Sequence, residues 1–594
     1  PWVDGLKLTL WGRARKNPLR RKLWQTPWTL YSLDRANYLA TGNPVLSGSI
    51  RSNFTDPRLL QESNNVINTN LTGLLTYDRT IGDDHTINLL AGVTRENFQG
   101  EFFSAFRRNF LSTAVDQLGV GGEIAQETDG YGYNRTRLGY YGRAQYNYKE
   151  KYLAEFIWRY DGSYIFPGND RFGFFPGLLV GWNINNEDWF NVDSISYLKL
   201  RGSYGEMGND QVSFDTNGDG EITDDELQEY AYQSIYDFGQ YPINGQVQTI
   251  LTEPLLANPS FTWERAKNFN LGLDGIVLDG KLSFTLEYFL NKRDQILIQK
   301  TGSTPGSSGI SDLLPPVNAG KVNNEGFEFA LNYYGGNVDG FKWDVGVNGG
   351  YAQNSVEFLD EIPGAPSYQL QEGKPIGSYL VYEYDGVFID EAAVNANTLV
   401  YSAVKPQLEP GDMKFKDISG DGAINDLDQV RLKNSINPNF NFGVTFNASY
   451  KNFDLSVLLQ GATGAKLFIQ TESGDIGNFL KYSFDNRWSP DNPSSVDPRL
   501  ASRGDTYYTG GDYGDNTYNL FSKDYIRLKN VQLAYNFQKS MIEQFGLSGF
   551  KVYMSGLNLA TWAAQDIYDP ESTSDSGQFY PQQSIINTGF SLTF

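Results

Sequence analysis

Two acidic runs carry the sharpest local chemistry in this 594-residue chain. The first, Asp215-Thr216-Asn217-Gly218-Asp219-Gly220-Glu221-Ile222-Thr223-Asp224-Asp225-Glu226, fits D-x-[DN]-x-[DN]-G-x5-E. Calcium prefers oxygen ligands, and this spacing supplies them. Asp215, Asn217 and Asp219 offer side-chain oxygens, Gly220 permits the sharp turn, the Glu221 carbonyl follows, and Glu226 closes the shell with both oxygens. The second run, Asp417 to Asp428, offers Asp417, Ser419, Asp421, the Ala423 carbonyl and Asp428. It departs from the pattern at Ser419 and at Asp428, whose shorter side chain is expected to coordinate through one oxygen and bind more weakly. An ion in either loop would be structural, relieving repulsion between crowded carboxylates. The bland reading of both is an acidic solvated turn.

Catalytic chemistry finds little support. Pairs such as Asp224/Asp225 and Glu187/Asp188 are expected by chance in a chain with a formal charge of −22, although a glycosidase needs two carboxylates. With no cysteine, neither a disulfide nor a thiolate site can form. His85, the single histidine, sits beside Asp83 and Asp84 and reads as a solvated turn residue. No phosphate-binding glycine loop or HExxH is present, and the acidic balance argues against a nucleic-acid partner. The basic run Arg13–Lys22 reads as a solvated loop or a contact to anionic lipid headgroups. Tyr507, Tyr508, Tyr513 and Tyr518, set among Gly and Asp, suit stacking on sugar rings, packing of a loop or contact with a lid subunit.

The elements that position these groups alternate with period two. In the last nine residues Ile586, Phe590, Leu592 and Phe594 share one parity; Asn587, Gly589, Ser591 and Thr593 share the other. A chain ending on an aromatic of such a strand suits a transmembrane β-barrel, whose closing strand carries an aromatic at the membrane interface. Working backward, strands are predicted at roughly 586–594, 549–559, 524–537, 453–461, 441–450, 341–353, 321–334, 281–296, 261–274, 196–208, 173–184, 151–163, 136–147, 84–98, 64–79 and 3–16. In 524–537 the apolar parity slips, which predicts a β-bulge near Lys529–Asn530. Connections alternate long and short, with 209–260 and 354–440 among the longest. That is the plan of an outer-membrane barrel with long extracellular loops and short periplasmic turns. No stretch approaches the ~18 apolar residues of a membrane helix. The 62 glycines fit many tight turns. About sixteen strands suffice for a passive porin but are too few for the 22-stranded barrel of a plugged transporter.

Ordered motifs over residues 150–594 decide between these. They include Arg159-Tyr160-Asp161-Gly162-Ser163 with Arg171-Phe172-Gly173-Phe174-Phe175-Pro176, Leu198-Lys199-Leu200-Arg201-Gly202-Ser203-Tyr204-Gly205, and Asn258-Pro259 with Thr262-Trp263-Glu264. Asn318-Ala319-Gly320, Pro410-Gly411-Asp412, Asn486-Arg487-Trp488-Ser489-Pro490, Tyr525-Ile526-Arg527-Leu528-Lys529-Asn530 and Tyr568-Asp569-Pro570-Glu571 follow. Together they resemble the SusC family of TonB-dependent outer-membrane transporters of Bacteroidetes. The resemblance implies an all-β transmembrane antiparallel barrel in the outer membrane. About sixteen strands of a 22-stranded barrel are expected here, with the plug and first strands outside the chain, which opens at Pro1 without a signal peptide. It also implies that no bond is made or broken by the chain, which would import oligosaccharides, or peptides by the same machinery. The expected partners are a SusD-like surface lipoprotein as a lid, the TonB–ExbB–ExbD complex acting through the plug, and outer-membrane lipid. The remaining alternatives are the passive porin and a secreted calcium-binding, glycan-binding β protein or hydrolase.

Overall fold

The computed structural model describes residues 4–594 apart from 51, 212–228, 254, 338–339, 403–407, 470–479, 495, 501–510 and 575–579. Sixteen strands form one sheet in strictly sequential order. They are β1 (Leu6–Gln25), β2 (Arg58–Ile81), β3 (His85–Arg108), β4 (Glu127–Tyr148), β5 (Tyr152–Ser163), β6 (Phe172–Asn183), β7 (Ile195–Asn209) and β8 (Glu264–Val277). Next come β9 (Leu282–Ile298), β10 (Val317–Gly336), β11 (Lys342–Phe358), β12 (Phe440–Tyr450), β13 (Phe453–Thr463), β14 (Tyr525–Asn536), β15 (Gly549–Ala563) and β16 (Ile585–Thr593). Every strand expected from the alternation is present. No helix among the described residues is long and apolar enough to cross a membrane, which says nothing about crossing by strands.

The chain divides into two compact units. One comprises residues 1–80, 86–145 and 157–174; the other comprises 81–85, 146–156 and 175–594. In the first unit β1 and β2 run antiparallel from Leu6↔Tyr77 to Gln25↔Arg58. The basic run Arg13–Lys22 is therefore part of strand β1, not a loop. Arg21 meets Glu62 on the paired strand at 3.3 Å, and Lys22 meets Asp116 at 2.8 Å.

The second unit has two chemically distinct faces. On one, Leu273, Leu286 and Phe329 lie in register across β8–β10, with Leu271, Tyr288, Phe327 and Tyr351 alongside across β8–β11. On the other, Asn268, Asn291, Asn324 and Asn354 form a ladder across the same four strands. Leu271, Leu286, Tyr288 and Phe327 are exposed and Leu273, Phe329 and Tyr351 half-buried, as suits side chains that lipid receives. Phe590 and Phe594 are 68% and 88% exposed. From Trp343 to Tyr351 the strand advances roughly 27 Å at ~3.4 Å per residue. With a tilt of ~40° that is roughly 20 Å along the membrane normal, near the ~25 Å apolar band of such barrels.

Near the short turns, aromatic rings touch from strand to strand. Phe453–Tyr535, Tyr535–Phe537, Phe537–Phe550 and Phe550–Phe590 have centroids 4.9, 5.0, 4.5 and 6.5 Å apart. A girdle of this kind anchors a barrel at the headgroup level. His85 opens β3 rather than lying in the turn, and its Nδ1 is 2.8 Å from the Tyr146 hydroxyl. Glu187 accepts from the Tyr152 hydroxyl at 2.6 Å and the Trp182 indole at 2.9 Å, so this acidic residue ties down a turn.

The bulge falls where the parity slips. Leu528 and Asn530 pair with consecutive residues Leu459 and Leu458, leaving Lys529 as the extra residue. Ile526 and Leu528 before it, and Val531 and Leu533 after it, thereby keep one face. Many glycines serve strands rather than turns. A Cβ at Gly461 would lie 2.4 Å from the Phe442 ring, and one at Gly208 would lie 2.1 Å from the Phe175 ring. Each ring lies against bare neighbouring backbone, a pairing that fixes register.

Candidate functional site

The most deeply buried core of the second unit lies in the connections, not in the sheet. Tyr382, Phe388, Tyr401, Met413, Phe415, Ile424 and Tyr513 pack together, with Tyr384 and Tyr518 against them. Segments from two long connections, β11–β12 and β13–β14, supply these residues. The first begins after Phe358, because β11 extends beyond the expected start at 354. Short ladders stitch the segments: Leu380–Tyr382 with Gln429–Arg431, and Lys466–Phe468 with Leu520–Ser522. Tyr513 is 1% exposed and its hydroxyl donates to the Ile424 carbonyl at 2.8 Å. The Tyr518 hydroxyl donates to Asp497 at 3.1 Å. Loop packing, not presentation to a sugar, is the role of these two tyrosines; Tyr507 and Tyr508 lie outside the described residues.

Separated motifs meet in this cap. Asp412, 2% exposed, accepts from Arg499 Nε at 2.6 Å. Gly411 has φ +91°, and a Cβ there would lie 2.6 Å from the Trp488 ring. The Trp488 indole in turn donates to the Ile389 carbonyl at 3.0 Å. The Pro410-Gly411-Asp412 and Asn486–Pro490 blocks are thus two halves of one joint. Asn318 likewise bridges two motifs: its amide donates to the Thr262 carbonyl at 2.8 Å and accepts from the Thr262 N–H at 3.0 Å.

The second acidic run closes on itself. Oxygens of Asp417, Asp421 and Asp428 all lie within 4.8 Å of one another. Asp417 accepts from the N–H groups of Gly420 at 2.6 Å and Gly422 at 3.0 Å. Burial pushes the Asp417 carboxyl up, but those N–H groups outweigh it and hold it below the ordinary carboxylate value. Asp428 is fully buried and accepts from the N–H groups of Ile418, Ser419 and Asn425 at 2.8, 2.9 and 2.9 Å. A carboxylate has about four acceptor sites, so three such bonds leave Asp428 room for one further ligand bond. The Ser419 hydroxyl is 3.3 Å from Asp417, and Ala423 follows the turn made by Gly420 and Gly422, both at positive φ. The donor set therefore fits a hard cation held with fewer than the ideal oxygens. The neighbouring Ile424, fully buried in the aromatic core, anchors the loop. The first run, with Asp215, Asn217, Asp219, Glu221 and Glu226, lies outside the described residues.

A third constellation sits on the polar face. Arg527, 1% exposed, donates from Nε to Thr561 at 2.9 Å, from Nη2 to Asp569 at 2.8 Å, and from Nη1 to Glu571. The Tyr525 hydroxyl also donates to Glu571, at 3.1 Å. The Tyr525–Asn530 and Tyr568–Glu571 motifs are therefore one ion-pair network pinning the last connection to β14. Further along the same face Arg201 binds Asp274 at 2.9 Å and Glu287 at 2.6 Å.

A two-faced sequential sheet with folded connections is a recurrent plan, and comparison with known proteins places it. The family model described as "TonB dependent receptor-like, beta-barrel" matches residues 3–559. The chain belongs to that family. Its barrels are outer-membrane proteins, which places this chain in the outer membrane. TonB-dependent receptor P3 of Formosa agariphila is 29% identical over 565 residues, covering 90% of this chain and 53% of that protein. TonB-dependent receptor SusC of Bacteroides thetaiotaomicron is 26% identical over 478 residues, covering 79% of this chain and 45% of that protein. The receptor-like chain thus spans about half the length of these relatives. The solved structure of the RagAB peptide importer in its "closed-closed" state superposes with a TM-score of 0.73 at 20% identity, covering all of this chain and 60% of that one. This likeness supports the barrel fold. The passive porin and secreted-protein readings are not favoured by these matches.

Proposed function

We propose that this chain supplies barrel wall and loop cap to an outer-membrane importer of oligosaccharides, driven through TonB and closed from outside by a SusD-like lipoprotein. The observation that supports this best is the two-faced sheet. An exposed apolar belt suits lipid, and behind it a wall of Asn, Gln, Glu and Arg suits a hydrated solute that must be held and released. The folded cap built by the β11–β12 and β13–β14 connections gives a lid protein a preformed surface. Calcium bound by Asp417, Ser419, Asp421, the Ala423 carbonyl and Asp428, and in the first loop by Asp215, Asn217, Asp219, the Glu221 carbonyl and Glu226, would order these connections without taking part in transport. Peptide import is the second reading, favoured by the likeness to a peptide importer. Uptake of labelled oligosaccharides and of labelled peptides by cells with and without TonB tests the proposal. Saccharide uptake that vanishes without TonB supports it. TonB-independent uptake refutes it, and TonB-dependent uptake of peptides alone selects the second reading.

A further inference from the structure

We infer that the apolar face of the first unit carries a site for a phosphorylated lipid, with Arg95 as the phosphate contact and a glycine-floored groove for an acyl chain. Such a site follows from the outer-membrane location and does not depend on what is imported. Leu6, Leu8 and Leu10 on β1 share a face with Leu71 and Leu75 on β2. The opposite face carries polar pairs: the Thr72 and Thr94 hydroxyls meet at 3.1 Å, and Asn70 donates to Glu96 at 2.7 Å. Those pairs fix the β2–β3 alignment and set Leu71 opposite Arg95 on the apolar face. One step further along that face the Thr136 hydroxyl donates to Asn97 at 2.7 Å, which sets Arg95 opposite Leu138 on β4. Arg95 therefore stands between two leucines, and the strands on both sides of it belong to this chain.

Arg95 is exposed and makes no side-chain hydrogen bond or ion pair among the described residues. Its neighbours on this face carry no acid: Val93 and Asn97 flank it on β3, Thr69 and Gly73 on β2, Thr136 and Tyr140 on β4. A cation on a lipid-facing strand is costly at the membrane midplane and tolerated near the headgroups. Arg95 stands where Leu89, Ala91 and Val93 give way to Asn97, Gln99 and Glu101, toward the long β3–β4 connection and so toward the outer leaflet. Beside it a groove of about 570 Å³ is walled by Leu10, Leu71, Val93 and Leu138. Gly12 and Gly73 form its floor; a Cβ on Gly73 would lie 3.3 Å from Leu10 and 3.6 Å from Val93. Further along the same face of β1, Lys16 and Arg20 are also exposed and unpaired among the described residues, so positive charge continues above the groove.

Lipid covers this face whatever its composition, and Arg95 adds a preference. Its guanidinium presents a planar fork that matches phosphate, and the aliphatic walls gain by burying a hydrocarbon chain. A neutral lipid would fill the groove and leave Arg95 unpaired. A free phosphate would pair with Arg95 and leave the groove unused. A phosphorylated lipid satisfies both.

The test uses the full chain extracted from the outer membrane in detergent and stripped of lipid. It is titrated with lipid A carrying one phosphate, with dephosphorylated lipid A and with inorganic phosphate, and bound lipid is counted by native mass spectrometry. Arg95→Gln removes the charge, Gly73→Leu fills the groove, and Arg13→Gln makes the same charge change on the opposite face of β1. Heat-modified gel mobility confirms that each variant is folded. One phosphorylated lipid is expected to bind tenfold or more tightly than its dephosphorylated form, weakened tenfold or more by R95Q and by G73L and less than twofold by R13Q. Equal retention of the two lipids, or retention unchanged in R95Q or in G73L, overturns the site. Displacement of the lipid by an equal concentration of inorganic phosphate would assign Arg95 to a free anion, and a dimer of chains lost in R95Q with lipid retention unchanged would assign the face to a second copy; either result overturns the lipid site.

Discussion

Replacing Arg527 with Met isolates the network that ties the last connection to β14. The Arg527 side chain is 2% exposed and its carboxylate partners Asp569 and Glu571 are 12% and 26% exposed. The substitution preserves bulk but leaves two largely buried carboxylates with only Lys529, 3.6 Å from Glu571, as a cation. Breaking a buried, hydrogen-bonded ion pair by removing one partner costs about 3–5 kcal/mol. The residual Lys529 contact and the partial exposure of Glu571 place the expected loss near the lower bound, about 3 kcal/mol. Arg527→Lys keeps the charge but gives up the fork that reaches three acceptors at once. It should lose two directed bonds, about 1–3 kcal/mol. The triple variant R527M/D569N/E571Q removes the stranded charges and should recover most of the loss. Reversible urea unfolding in lipid vesicles gives the free energies, and hydrogen exchange over 564–574 shows where the structure opens. A loss under about 1 kcal/mol for R527M, or a triple variant as unstable as the single one, would show that the network is not what holds this connection.

Three further outcomes follow from the loop cap. Calcium at a hundredfold its Kd should add about 2.7 kcal/mol to the opening free energy read by hydrogen exchange at 417–428. Chelation should remove that increment, and Asp421→Ala should lower the bound calcium from two ions to one. Burial pushes the Tyr401 hydroxyl from its ordinary value of 10.0 up to about 12. Because the folded value is the higher, its contribution is complete below pH 10 and fades between pH 10 and 12; an alkaline fluorescence titration should show the cap opening in that window, with the transition blunted in Tyr401→Phe. Gly411→Ala meets both a positive φ and the Trp488 ring and should cost more than about 1 kcal/mol, read as faster proteolysis within 359–439.

Alternation made the sheet legible. Phe327, Phe329, Leu331 and Tyr333 on β10 and the slipped parity around Lys529 set strand and bulge alike, because lipid on one side and solute on the other force period two. The strands nevertheless run further than the pattern: β3 reaches Arg108 and β4 begins at Glu127. Beyond the apolar band the ladder hydrogen bonds continue while both faces meet water, so no alternation marks the extension. Arg13–Lys22 is the same effect in β1. The cap was not legible, since Tyr382, Tyr401 and Phe415 come from one connection and Tyr513 from another, with two strands between them, and they follow no period. The motifs had signalled that these positions matter, but only the fold shows that Arg527 meets Asp569 and Glu571, or that Gly411 makes room for Trp488. Asp417, Asp421 and Asp428 lie together, and Asp428 is drawn into backbone bonds that spacing alone does not reveal.

The absence of cysteine allows the central claim to be read residue by residue. Single cysteines carrying a nitroxide label at Leu271, Leu286, Phe327 and Phe590, and at Asn268, Glu287, Glu328 and Asn348, can be compared in lipid vesicles by collision with oxygen and with a water-soluble nickel chelate. The first group is expected to favour oxygen, as lipid-facing sites do, and the second to favour nickel. Equal nickel accessibility for Leu286 and Glu287, or oxygen preference on the Glu287 side, would contradict a sheet whose greasy face meets the membrane.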